Sequence, residues 1–227
     1  MRRPRPLALA LGLGLATPAL AATPNPDRPS FSRTGFLVED RSVELEGGFN
    51  WAAGEPAGSL MPKVGLGRVE PRVGIDFFSG GAAFTPGLKV GLVQQSGLGV
   101  SAHAHVGVPT GGGGATGDAG GLLTGVLAGG QVLQANLGVR TSMSDAGITV
   151  VDVPLAGLVG VPFGERWSAF GEGVLMLRQV SPPLQLNAGL GCNITKSMVL
   201  DTALSWTTGT DTIGATAGLT ANFGQFR

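Results

Sequence analysis

Tyrosine is absent, cysteine occurs once, and charged residues make up only 13% of the 227-residue chain. The single Cys192 excludes an internal disulfide. It falls on the apolar side of the alternating run Leu184–Asn193 and reads as a small apolar filler. Such sparse charge is low for a soluble domain. Beyond the N-terminal region no apolar run reaches about 18 residues, which excludes helical membrane spans. Fifteen basic side chains balance fifteen acidic ones, so the basic excess that nucleic-acid binding calls for is missing.

What the chain does have is glycine and a two-residue beat. Its 40 glycines disfavour a helical protein, and they follow no G-X-Y period, which excludes collagen. Along Gly97–Pro109, Leu98, Val100, Ala102, Ala104, Val106 and Val108 alternate with Gly99, Ser101, His103, His105 and Gly107. Alternation of apolar with small or polar residues, over strands of about 10 residues, suits a bilayer-spanning β-barrel. In lipid, such strands satisfy their backbone polar groups only by closing the sheet.

Residues 1–21 are expected to be a cleaved export signal. Arg2, Arg3 and Arg5 precede the short apolar run Leu7–Ala16, and Ala19-Leu20-Ala21 supplies the cleavage pattern. The arginine pair lacks a twin-arginine context, and no cysteine at the cleavage site offers a lipid anchor. Removing those three arginines leaves 12 basic against 15 acidic side chains. Residues 22–41 are Pro-rich and polar, an extended segment ahead of the sheet. It could lie in the periplasm or fold into a barrel lumen.

Residues 42–227 are expected to form an all-β, closed antiparallel up-and-down transmembrane barrel of about twelve strands. The candidates are Ser42–Trp51, Leu60–Gly67, Val69–Phe78, Pro86–Val93, Leu98–Pro109, Gly121–Ala128, Gln131–Thr141, Ile148–Val161, Trp167–Leu177, Leu184–Asn193, Met198–Thr207 and Thr212–Gly224. Their connections alternate between tight turns and mostly longer loops rich in Gly, Pro, Ser, Thr or Asp, the asymmetry of an outer-membrane barrel. Trp51, Phe77 and Trp206 fall at one set of strand ends, and Phe163, Trp167 and Phe223 at the other, an aromatic girdle at each interface. The closing strand alternates from Ile213 to Phe223. It is similar to the C-terminal signal read by the barrel-assembly machinery, although Gly224-Gln225-Phe226-Arg227 follow.

The alternation assigns Glu44, Glu46, Lys63, Glu70, Arg72, Asp76, Lys89, His103, His105, Arg140, Asp152, Glu172, Arg178 and Asp201 to the face opposite the apolar series, the lumen. An Arg or Lys on the lipid face near the midplane costs about 2–4 kcal/mol, so the sorting tests the register. Two readings stay open. The charges line a polar conduit that selects solutes, or they pair across a narrow lumen and fill it. Barrels of about 8 strands are filled by side chains and those of about 16 leave a channel; twelve falls between.

Catalysis is not expected. No G-x-S-x-G elbow occurs, and no serine stands out beside His103 or His105 for a lipid-modifying hydrolase. Two histidines without a third ligand make a poor metal site, so no metal and no cofactor is assigned. Gly111–Gly114 with Gly117, Gly120 and Gly121 lacks the Lys-Ser/Thr of a phosphate loop. It reads as part of an outer loop, Thr110–Gly120, in which Asp118 is solvated.

Val43-Glu44-Leu45-Glu46-Gly47, Pro62–Arg72 and Leu88–Leu92 carry a family likeness. In these segments and their order the chain resembles the outer-membrane barrel family named after the MetA protein of a phenol-degradation pathway. The resemblance implies a barrel that passes small or hydrophobic compounds, aromatic ones among them. Composition, pattern and resemblance lead to one expectation: a non-enzymatic barrel of the Gram-negative outer membrane, in contact with its lipid and with an unspecified small solute. The alternative is a non-conducting structural or surface-interaction barrel with a charge-filled lumen. A soluble exported β-sandwich is the remaining alternative.

Overall fold

The alternating segments become strands because one side of each is apolar and the other small or polar. A pleated strand turns successive side chains to opposite faces. In the computed structural model, residues 24–27, 32–52, 54–111, 113–144, 147, 149–177 and 183–226 are described. The expected signal, residues 1–21, and Arg178 lie outside the described residues. The elements are β1 (Ser42–Ala52), β2 (Glu55–Val64), β3 (Val69–Phe78), β4 (Gly81–Gln95), β5 (Leu98–Pro109) and β6 (Thr116–Val126). They continue with β7 (Val132–Met143), β8 (Thr149–Phe163), β9 (Trp167–Leu177), β10 (Leu184–Thr195), β11 (Met198–Thr207) and β12 (Thr212–Gln225).

Each strand pairs antiparallel with the next, and β12 closes on β1, so the sheet is a closed twelve-stranded barrel. The closing seam runs from Ser42 opposite Gln225 to Ala52 opposite Gly214. We call the end where β1 begins and β12 finishes the terminal end.

Three strands begin earlier than the sequence suggests. Glu55–Ser59 belongs to β2, Gly81–Thr85 to β4 and Thr116–Gly120 to β6. Apart from Pro56 and Phe84 these stretches are small or polar and lack apolar alternation, yet their backbones complete ladders with β1, β3 and β7. The contrast in loop length is correspondingly weaker than expected. β1–β2 and β3–β4 are joined by only two residues each at the opposite end.

The outside is apolar. Leu137, Leu155, Leu190 and Leu204 are exposed in the middle and outer parts of their strands. Trp51, Phe77 and Trp206 are exposed at the opposite end, and Phe163, Trp167 and Phe223 at the terminal end. Phe163 and Trp167 stack with ring centroids 6.5 Å apart. Among the described strand residues, Glu55 at the first position of β2 is the only exposed charged one, and its register puts it on the same face as Lys63, not on the outside. The conventional apolar core is small, and the buried interior is mostly polar.

Candidate functional site

The register sets charges opposite one another on the inner face. Glu44 of β1 faces Lys63 of β2, and Glu70 of β3 faces Lys89 of β4. Asp118 of β6 faces Arg140 of β7, which in turn faces Asp152 of β8. Opposite charges in such cross-strand pairs stabilise a sheet and like charges destabilise it. Lys63 and Arg72 are the exception, two cations directly opposed across β2 and β3.

Residues 24–27 and 32–38 resolve that conflict from inside the barrel. Asp27 is 5% exposed. Its Oδ2 lies 2.6 Å from Arg72 Nη1 and 3.4 Å from Lys63 Nζ, and its Oδ1 lies 3.7 Å from Lys89 Nζ. The Thr34 amide also donates to Oδ1 at 3.1 Å. Wall carboxylates complete the cluster. Lys63 pairs with Glu44 at 3.2 Å and with Glu46, Arg72 pairs with Glu70, and Lys89 reaches Glu70 at 3.7 Å. All of these side chains are buried. A buried charge is tolerated only when paired and hydrogen-bonded, and this cluster meets that condition.

The wall holds the rest of the segment by its main chain. The amides of Asn25 and Asp27 donate to Glu44 Oε2 at 2.7 Å and Glu46 Oε1 at 2.6 Å. Deeper in, the Ser32 amide donates to Glu172, and Arg33 pairs with Asp118 at 3.2 Å. The chain then returns toward the terminal end. Gly35 donates to Thr124 Oγ1 at 2.7 Å, Leu37 to Gln94 Oε1 at 3.0 Å and Val38 to Glu70 Oε2 at 2.8 Å. Lys63, Lys89 and Gln94 donate to the carbonyls of Asn25, Thr34 and Gly35. Gly35 and Gly99 permit this approach. A Cβ on Gly35 would collide with the Gly99 carbonyl, and one on Gly99 would lie 2.7 Å from the Phe36 nitrogen. Pro24 sits in a vestibule at the terminal end with Glu165, Arg166, Asn193 and Lys196.

A second cluster lies deeper, around Asp118. His103 Nε2 is 2.8 Å from Asp118 Oδ1, and Arg140 Nη2 is 3.5 Å from Oδ2. His105 is buried beside His103, with ring centroids 5.3 Å apart and planes at 82°. Among the described residues no group of three or more His, Cys, Asp or Glu is placed to hold a metal.

Of the other inward candidates, Asp152, Glu172 and Asp201 are buried on β8, β9 and β11. Asp76 and Arg140 are partly buried, and Asp76 accepts a hydrogen bond from Thr85 at 3.1 Å. Glu172 accepts from Asn187 as well as from Ser32. Asp118 corrects the loop reading: it belongs to β6 and is ion-paired, because Thr116–Gly120 pairs with both β5 and β7. Gln94, one residue past the expected strand end at Val93, likewise belongs to β4. Sequence reasoning missed Asp27, Arg33, Gln94 and Thr124. The signal available for Asp27 was Pro24-Asn25-Pro26-Asp27, where residues without an N–H alternate with residues that have one.

The architecture is that of a porin-like β-barrel with charged side chains and a chain segment inside it. Among solved structures, the KdgM porin in complex with disordered oligogalacturonate is similar at a TM-score of 0.66 and 6% identity, covering 81% of this chain and 99% of that one. The NanC porin is similar at 0.61 and 9% identity, covering 79% and 98%. An outer-membrane channel from Pseudomonas putida F1 is similar at 0.63 and 9% identity, covering 86% and 99%. At these identities the likeness is one of fold. No family model and no curated protein matches the sequence, so the phenol-degradation resemblance rests on its motifs.

Proposed function

We propose that this protein is an outer-membrane barrel that passes small solutes through its lumen, without covalent catalysis, and that residues 24–38 govern access. The observation that carries this reading is a charged inner wall closed around a segment that belongs to no strand. Glu44, Glu46, Lys63, Glu70, Arg72, Asp76, Lys89, His103, His105, Arg140, Asp152, Glu172, Arg178 and Asp201 are proposed to line the path. The apolar exterior with aromatic residues at both ends supports contact with outer-membrane lipid. The fold of porins supports conduction. We propose that β12, with Phe223 near its end, is the strand read by the assembly machinery. The resemblance implies hydrophobic or aromatic solutes, but the buried charge favours polar ones, because an apolar solute cannot replace the hydrogen bonds it displaces.

Swelling of liposomes containing the purified, folded protein tests the reading. Faster entry of one charge class among neutral, anionic and cationic sugars and amino acids is expected. No swelling with any solute favours the second reading, a non-conducting barrel. The pairing of the wall charges with residues 24–38 is the observation on its side.

A further inference from the structure

The lumen holds residues 24–27 and 32–38 as a binding site holds a peptide. Six of their main-chain N–H groups donate to wall side chains. Three of their carbonyls accept from wall side chains. Contacts of this kind read a backbone rather than its sequence, since every non-proline residue offers the same donor and acceptor. The two stretches are also tied to each other, Asn25 donating to the Phe36 carbonyl at 2.8 Å and the Thr34 amide to Asp27 at 3.1 Å.

The match begins in the spacing. Glu44 and Glu46 are two apart on β1, so both point inward. Asn25 and Asp27 are two apart on the segment and meet them in order. Pro24 and Pro26 occupy the alternate positions, where an N–H would lack this partner.

One side chain is read strongly. Lys63, Arg72 and Lys89, on three successive strands, converge on the Asp27 carboxylate. Two of them are like charges directly opposed across the sheet. That arrangement calls for an anion between them. The wall supplies its own partners from the β1 and β3 sides, and the bridging anion comes from a segment that is not part of the wall.

We infer that the terminal half of the lumen is a binding site for a short acidic peptide that folds back on itself, filled in this chain by its own residues 24–27 and 32–38. The inference gives the proposed conduit a solute class, peptides carrying a carboxylate flanked by free amides. It rests on that proposal for passage, not for binding.

The test uses the full chain with Asp27→Asn and Gly35→Val, which remove the bridging anion and force the segment off Gly99. The probe is a synthetic peptide of residues 24–38, blocked at both ends, titrated by calorimetry in detergent. A second peptide carries Asn in place of the aspartate. Saturable binding of the aspartate peptide is expected, about tenfold or more tighter than the asparagine peptide. Binding to the unsubstituted chain is expected to be weaker, because its tethered segment competes. Arg72→Gln added to the pair is expected to abolish the preference for aspartate. Folding is checked by heat-modifiable gel mobility, and Asp27→Asn alone serves if Gly35→Val prevents folding. Equal binding of the two peptides, or none by the folded variant, overturns the inference. Loss of binding with intact solute flux overturns it while leaving the conduit standing. Binding without flux upholds it and contradicts the conduit.

Discussion

Lys63 and Arg72 face each other across β2 and β3, and a single oxygen of Asp27 lies within 3.4 Å of both. Two adjacent cations in a sheet repel. Here their repulsion becomes the means of holding a segment that contributes no strand. The fourfold contact of Asp27 thus links the stability of the wall to the position of residues 24–38.

Lys63 is the cation with most to lose. It pairs with Asp27, Glu44 and Glu46 and is itself fully buried. Lys63→Met leaves those carboxylates short of a partner, and breaking a buried pair from one side costs about 3–5 kcal/mol. Urea unfolding in lipid vesicles checks this, with Lys196→Met as the control. Lys196 is exposed, between β10 and β11, and its replacement is expected to change stability by less than about 0.5 kcal/mol.

Gly35→Val pushes the segment off the wall, because its Cβ meets the backbone of β5. Backbone cannot yield as a flexible side chain does, so the segment moves. Trypsin is expected to cut after Arg33 in the variant and to leave it intact in the unsubstituted protein. Equal protection in both shows that the contact with Gly99 does not position the segment.

Acid is expected to release the segment only at low pH. Burial alone raises the Asp27 carboxyl, but Lys63, Lys89 and Arg72 outweigh it and hold the group well below the usual carboxylate range. A depressed folded-state value gives stabilisation that is complete above the unfolded value, about 3.9. It is lost as pH falls through the depressed value. Pepsin, active in acid, is expected to spare the Phe36–Leu37 bond near that ordinary value and to cut it in stronger acid.

Leu137 tests the outer face. It lies in the middle of β7 and is 56% exposed. Leu137→Arg places a charge toward lipid and is expected to cost about 2–4 kcal/mol near the midplane, measured by unfolding in vesicles. A change below about 0.5 kcal/mol, typical of a solvated surface, contradicts contact with the bilayer there.

Alternation made most of the barrel legible. β5, β9 and β11 have the limits their pattern predicts, and His103 and His105 share the inner face that Ser101 begins. The outer parts of β2, β4 and β6 were not legible. Glu55–Ser59, Gly81–Thr85 and Thr116–Gly120 are small or polar apart from Pro56 and Phe84 and show no apolar alternation, and their strand state comes from the ladders they complete with β1, β3 and β7. Asp118 was misread for that reason. The placement of residues 24–27 and 32–38 was hidden differently. A segment held through its amides by wall carboxylates needs no apolar period, and only the alternate prolines before Asp27 hint at it. The like-charged Lys63–Arg72 pair was likewise invisible until the β2–β3 register was known.

Single-channel recording in planar bilayers, comparing the unsubstituted chain with Asp27→Asn, reads out whether the anchored segment limits passage through the lumen. The substitution keeps the size of the side chain and removes the charge that bridges Lys63, Arg72 and Lys89. Small or brief openings are expected for the unsubstituted protein and larger, longer-lived ones for the variant. Identical currents from the two proteins, or no current from either, contradict that expectation.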